Sequence, residues 1–104
     1  MDAQTKVAEF IQHHELHASP VYRLLDLEAE VGELAKEMLE STSYGDEPAQ
    51  LHVSVDELGD VLFTLLALAS TLEIDADDAL EVSLSKYERR LDVADDPSSG
   101  GIDR

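Results

Sequence analysis

The sequence predicts an all-α fold, a four-helix bundle. Three observations lead there. Apolar residues recur three and four positions apart in four separate segments. Helix-start residues stand before the last three of them: Ser19-Pro20, Ser54 and Asp75. Two of the segments also carry near-copies of one piece, Glu30-Val31-Gly32-Glu33-Leu34 and Glu57-Leu58-Gly59-Asp60-Val61. Each reads acid, aliphatic, glycine, acid, aliphatic. Acids three apart share a helix face, so each piece offers a pair of carboxylates.

The first helix is expected over residues 5–17, with Val7, Phe10 and Ile11 on its apolar face and Thr5 or Asp2 as its cap. His13, His14 and His17 gather at its end. His13 and His17 have the i, i+4 spacing of a metal pair, but no acid-rich motif adjoins them, and polar or cationic groups favouring a helix C-terminus explain them more simply. The second helix starts at Ser19-Pro20 and runs to about Glu40. Leu24, Leu27, Val31, Leu34 and Met38 form its apolar stripe. Asp26, Glu30, Glu33 and Glu37 fall on a line beside that stripe rather than opposite it. A merely solvated acidic face would lie opposite the core; these acids lie where a neighbouring helix can approach.

Residues 41–52 hold Gly45, Pro48 and several short polar residues and read as a loop, long enough to cover a site or reach a partner. Ser54-Val55-Asp56-Glu57 is a capping-box pattern. Glu57 therefore has two readings, helix cap and ligand, and a helix start a residue or two earlier would leave its carboxylate free. The third helix extends to about Leu72. Leu58, Val61, Leu62, Leu65, Leu68 and Leu72 make one stripe, and Phe63, Leu66 and Ala67 occupy the other side. A helix apolar nearly all round needs more than one covering layer, and an oligomer interface is the simplest source of the second. Gly32 and Gly59 each cost about 1 kcal/mol relative to alanine in a helix; at matching positions they suggest close helix approach.

Asp75 and Asp78 open a fourth helix with Leu80, Leu84, Tyr87 and Leu91 on one face. Lys86, Arg89 and Arg90 cluster near its end, three of the seven lysines and arginines in the chain. They read either as helix-end cations answering the macrodipole or as a phosphate clamp. One domain is expected over residues 1–92, with a disordered acidic tail at 93–104.

The charge narrows the partners. Asp and Glu number 24 against 7 Lys and Arg, a formal net charge of -17, spread along the whole chain with only three lysines. Nucleic acid is excluded as a partner, because phosphate backbones need a basic patch. Adaptation to a very salty cytoplasm fits this pattern better than a localised acidic tail. There is no cysteine, so disulfides and thiolate metal sites are absent. The start of the chain lacks the pattern of a signal peptide, and the longest apolar run, near 61–69, is too short to span a bilayer. The expectation is a soluble cytoplasmic protein without a membrane partner.

If the second and third helices face each other, Glu30, Glu33, Glu57 and Asp60 form a four-carboxylate cup. Such a cup cannot stay fully ionised without a cation. Hard oxygen donors without His or Cys select Mg2+, with Mn2+ possible. Carboxylate-bridged di-iron sites use Glu-x-x-His pairs, and here the second members are Glu33 and Asp60. Magnesium on a few carboxylates usually meets substrate phosphates, which the basic trio of the fourth helix could hold. The chemistry these residues allow is metal-dependent hydrolysis of a phosphoanhydride.

At this point the sequence resembles a known family. Glu30-x-x-Glu33, 23 intervening residues and Glu57-x-x-Asp60 are similar to the signature of the MazG-type all-α nucleoside triphosphate pyrophosphohydrolases. EVGELAKE at 30–37, DELGDVLF at 56–63 and KYERR at 86–90 extend the likeness, which covers about residues 20–92. Members often carry glutamate where this chain has Ala29 and asparagine where it has Leu84. The resemblance implies a helical homodimer or dimer of dimers with Mg2+ on Glu30, Glu33, Glu57 and Asp60. It also implies cleavage of a nucleoside triphosphate to monophosphate and pyrophosphate, with Lys86, Arg89 and Arg90 on the substrate. A phosphoribosyl-ATP pyrophosphohydrolase would use the same cup. The alternative from another class is a non-catalytic helical dimerisation module, against which the four acids argue.

Overall fold

The structure, a computed structural model, describes residues 2–94. It is all-α: helices α1 (Ala3–His13), α2 (Pro20–Ser41), α3 (Val55–Thr71) and α4 (Ala76–Ala94), with one 3-10 turn at Pro48–Gln50 and no strand among the described residues. The chain divides into two compact units, one ending at Glu73 and one beginning at Ile74. The boundary expected after residue 92 falls inside α4, and most of the expected tail, residues 95–104, lies outside the described residues.

Each helix start in the first unit is fixed by a side-chain cap. Asp2 accepts from the Thr5 N–H at 2.8 Å, and that bond holds its carboxyl below the usual aspartate range. Ser19 accepts from the Tyr22 N–H at 3.4 Å, with Pro20 at the first helical position. Ser54 accepts from the Glu57 N–H at 3.1 Å. The ends are fixed by backbone. After α1, Glu15 turns left-handed at φ 54°, while the Leu16 N–H reaches the Ile11 carbonyl at 2.9 Å and the Glu15 N–H reaches Gln12. This is a Schellman closure with glutamate where glycine is usual. It stops α1 four residues before the expected end. The helical spacing of His13 and His17 is thereby lost, and no histidine joins a group placed to hold a metal among the described residues.

Helices α2 and α3 are antiparallel neighbours, because Glu37 near the end of α2 bonds Ser54 at the start of α3. The connecting loop is pinned by the same helix end: the Ser41 hydroxyl accepts from the His52 N–H at 3.0 Å and donates to the Met38 carbonyl at 2.8 Å. Helix α1 lies on α3 through Phe10 and Phe63, whose rings meet edge to face at 5.9 Å. The core between them is small, with Ile11, Leu66 and Ala67 buried.

The two apolar sides of α3 are covered unequally, and one expectation, about the glycines, needs correction. The side carrying Phe63, Leu66 and Ala67 is covered, whereas Leu58, Leu62, Leu65 and Leu72 of the other stripe are about half exposed. Helix α1 takes the Phe63 side because Phe10 and Ile11 provide the matching face. The glycines do not mark close approach: a Cβ added at Gly32 or Gly59 would meet nothing within 4 Å.

The second unit is α4 with its lead-in. Asp75 caps it, its carboxylate accepting from the Asp78 N–H at 3.0 Å. Leu80, Leu84, Tyr87 and Leu91 are about half exposed. Among the described residues no helix is long and apolar enough to cross a membrane.

Candidate metal centre

The site is built where α2 and α3 run side by side. One carboxylate oxygen from each of Glu30, Glu57 and Asp60 lies within 4.8 Å of the others. Glu30 and Glu57 are half-buried and Asp60 is exposed. Glu33, the fourth expected member, is exposed and stands outside this trio. It lines an adjoining open cavity of about 450 Å3 together with Glu57, Lys36, Glu37, Glu40 and Ser41.

Glu57 is the central residue. At the third helical position behind a serine cap, its carboxylate would ordinarily reach back to the cap's N–H. The helix does start at Val55 behind Ser54, so the early start that would have freed Glu57 does not occur. Glu37 frees it instead: its two carboxylate oxygens accept from the Ser54 N–H and, at 3.3 Å, from the Ser54 hydroxyl. The cap is completed from the neighbouring helix, and the Glu57 Oε2 is buried without a hydrogen-bond partner. Burial, then the charges of Glu37, Asp60, Glu30 and Glu33, push the Glu57 carboxyl above the usual glutamate range.

An orphaned, buried carboxylate oxygen beside two further carboxylates is a poor arrangement for the protein alone and a good one for a cation. A buried acceptor without a hydrogen bond is unfavourable, and hard all-oxygen donors suit a divalent ion such as Mg2+. The donor set therefore fits a metal held by Glu30, Glu57 and Asp60, with Glu33 at the edge of the adjoining cavity.

Two members of this region escaped the sequence reading. Lys36 brings a positive charge to the cavity; its place three residues after Glu33 was the available signal. Glu37 was visible as the last acid of the line on α2, but its partner lies 17 residues away, beyond local pattern.

The basic trio belongs to α4. The Lys86 Nζ and the Arg90 guanidinium lie over the Tyr87 ring, at 5.0 and 5.5 Å from its centroid, and Arg89 is exposed beside them. The helix continues to Ala94 and its last turn carries no basic residue, so these cations do not serve as a helix-end cap.

A 94-residue match, 34% identical, covers 86% of this chain and 83% of a Bacillus subtilis (strain 168) protein described as uncharacterized protein YpjD. No solved structure matches significantly. The MazG nucleotide pyrophosphohydrolase domain matches residues 19–93, a span that contains all four acids of the two repeated pieces and the basic trio. The chain belongs to the MazG nucleotide pyrophosphohydrolase domain family.

Proposed function

We propose that the protein hydrolyses a nucleoside triphosphate to the monophosphate and pyrophosphate, with Mg2+ as its cofactor and Mn2+ able to replace it. The observation that carries this reading is the convergence of Glu30, Glu57 and Asp60 around an orphaned Glu57 oxygen in a chain of this family. Glu33 completes the acidic set from the cavity edge. When bound, the metal supplies positive charge and a water of lowered pKa for attack on phosphorus. The protein's own part is to hold the carboxylates in place: Glu37 keeps Glu57 out of the helix cap, and Ser41 ties down the loop beside the cavity.

Lys86, Arg89 and Arg90 are proposed as the groups that neutralise the departing β- and γ-phosphates. Their clustering around Tyr87 supports that role. The active species is proposed as a homodimer or homotetramer, because Leu58, Leu62, Leu65 and Leu72 leave one side of α3 half exposed. Burying a leucine fully contributes about 1.5–3 kcal/mol, so four on one helix face make a substantial driving force. A high-salt setting, supported by the net charge of -17, and a cytoplasmic location complete the proposal.

The test is pyrophosphate release from a panel of nucleoside triphosphates with Mg2+, comparing wild type with Glu57→Gln. Release by wild type that is lost in the variant is expected. A wild type inactive on every nucleotide, or a variant with undiminished release, contradicts the proposal.

A further inference from the structure

Away from the carboxylates, where α2 begins and α3 ends, the first unit has a second, partly open cavity of about 240 Å3. Its polar lining is Gln12, His17, Arg23, Ser70 and Thr71, with apolar residues of α1 and the α1–α2 loop completing the wall. In a chain with 24 acidic residues, none lines this cavity. Arg23 is 8% exposed. Its guanidinium donates to the Leu16 carbonyl, finds no carboxylate among the described residues, and leaves its Nε buried without a partner. A guanidinium has five N–H donors and keeps its charge inside proteins, and an isolated buried charge is strongly disfavoured unless something compensates it.

We propose that this cavity is an anion site, distinct from the carboxylate centre, that takes a phosphate group. Three features select that chemistry. The planar guanidinium fork matches phosphate oxygens. The Gln12 amide, the His17 ring and the Ser70 hydroxyl line the same cavity and are able to donate to the several oxygens of a phosphate. The volume is several times the roughly 30 Å3 share of a water molecule, room for a tetrahedral oxyanion or a diphosphate and too much for a halide. Arg23 and Glu30 are seven residues apart on α2, about 10 Å along the helix, so an anion here is not a ligand of a metal on the carboxylates. The inference does not depend on the proposed reaction, since it concerns binding with no metal present.

The experiment uses the full chain in EDTA at ionic strength held constant with KCl, titrated separately with inorganic phosphate and with pyrophosphate. A saturable rise in Tm is expected, about 5 °C or more at ten times the dissociation constant. Amide NMR shifts should be centred on Gln12, Ser70 and Thr71. Arg23→Met should lose the response, and Glu30→Gln should keep it. Tighter binding of pyrophosphate would identify a diphosphate site, and equal binding a single-phosphate site; both support the proposal. It is overturned if wild type shows no saturable response at millimolar anion, if Arg23→Met responds as wild type does, or if the shifts centre on Glu30, Glu57 and Asp60. Should Arg23→Met not fold, the location of the wild-type shifts decides alone.

Discussion

A glutamate at the third position of a serine-capped helix normally closes the cap, and Glu57 does not, because Glu37 has taken that place. Its Oε2 is then buried without a hydrogen bond to stabilise the ionised form. The consequence for pH follows from the sign of its shift. A carboxyl whose folded-state pKa is raised contributes stability that is fully present below its unfolded value and lost as pH rises through the folded value. In EDTA the protein should therefore gain stability as pH falls through the window at and above the ordinary glutamate range. Asp2, shifted downward by its bond to Thr5, acts in a separate window at and below the ordinary aspartate range, where its contribution is lost as pH falls. Glu57→Gln should raise Tm near pH 7 in EDTA and flatten the upper window; thermal melts across pH read this directly. An unchanged profile would show that Glu57 is not strained in the metal-free protein. For the other acids, Glu33→Gln and Asp60→Asn should leave the helical circular dichroism intact. Each should reduce hydrolysis by more than about 100-fold, the loss that outer-shell partners of a metal site already approach. Near-normal Mg2+-dependent turnover in either variant would remove the residue from the site.

Among the helices, the pairing of α2 with α3 is what turns two weak local motifs into one centre. Glu37→Ala tests this. It removes the acceptor for the Ser54 N–H, and Glu57 can then swing back to close the capping box. The fold should lose little, about 1 kcal/mol or less, while Mg2+ affinity should fall about tenfold or more; calorimetry and melting curves separate the two effects. A loss of stability without a change in metal affinity would contradict the account. Much of this scale was legible in the sequence. Ser19-Pro20, Ser54 and Asp75 each placed a helix start correctly, because caps are local chemistry. The end of α1 was not legible, since its Schellman closure puts Glu15, an ordinary residue, at positive φ. Which side of α3 the chain itself covers was not legible, because apolar residues occupy nearly its whole circumference and only the position of Phe10 on α1 decides it. Within the site, Glu30, Glu57 and Asp60 were legible from spacing, whereas the exchange of Glu57 for Glu37 at the cap depends on a contact between residues distant in sequence.

For the whole molecule, the net charge of -17 sets the response to salt. Self-repulsion should keep Tm low at low ionic strength, and Tm should climb as KCl approaches 1 M, where the Debye length is about 3 Å. Melting temperatures that stay flat over that range would remove the salt-adapted reading. The half-exposed leucines of α3 predict at least a dimer by light scattering at micromolar protein, and a fully active monomer would refute it. The central claim is that the carboxylate centre directs attack to the α-phosphorus of a nucleoside triphosphate. Hydrolysis in oxygen-18 water, followed by mass spectrometry of the products, tests it most directly. The account predicts pyrophosphate released as one unit and the label in the nucleoside monophosphate; orthophosphate as the first product, or label in pyrophosphate alone, would contradict it.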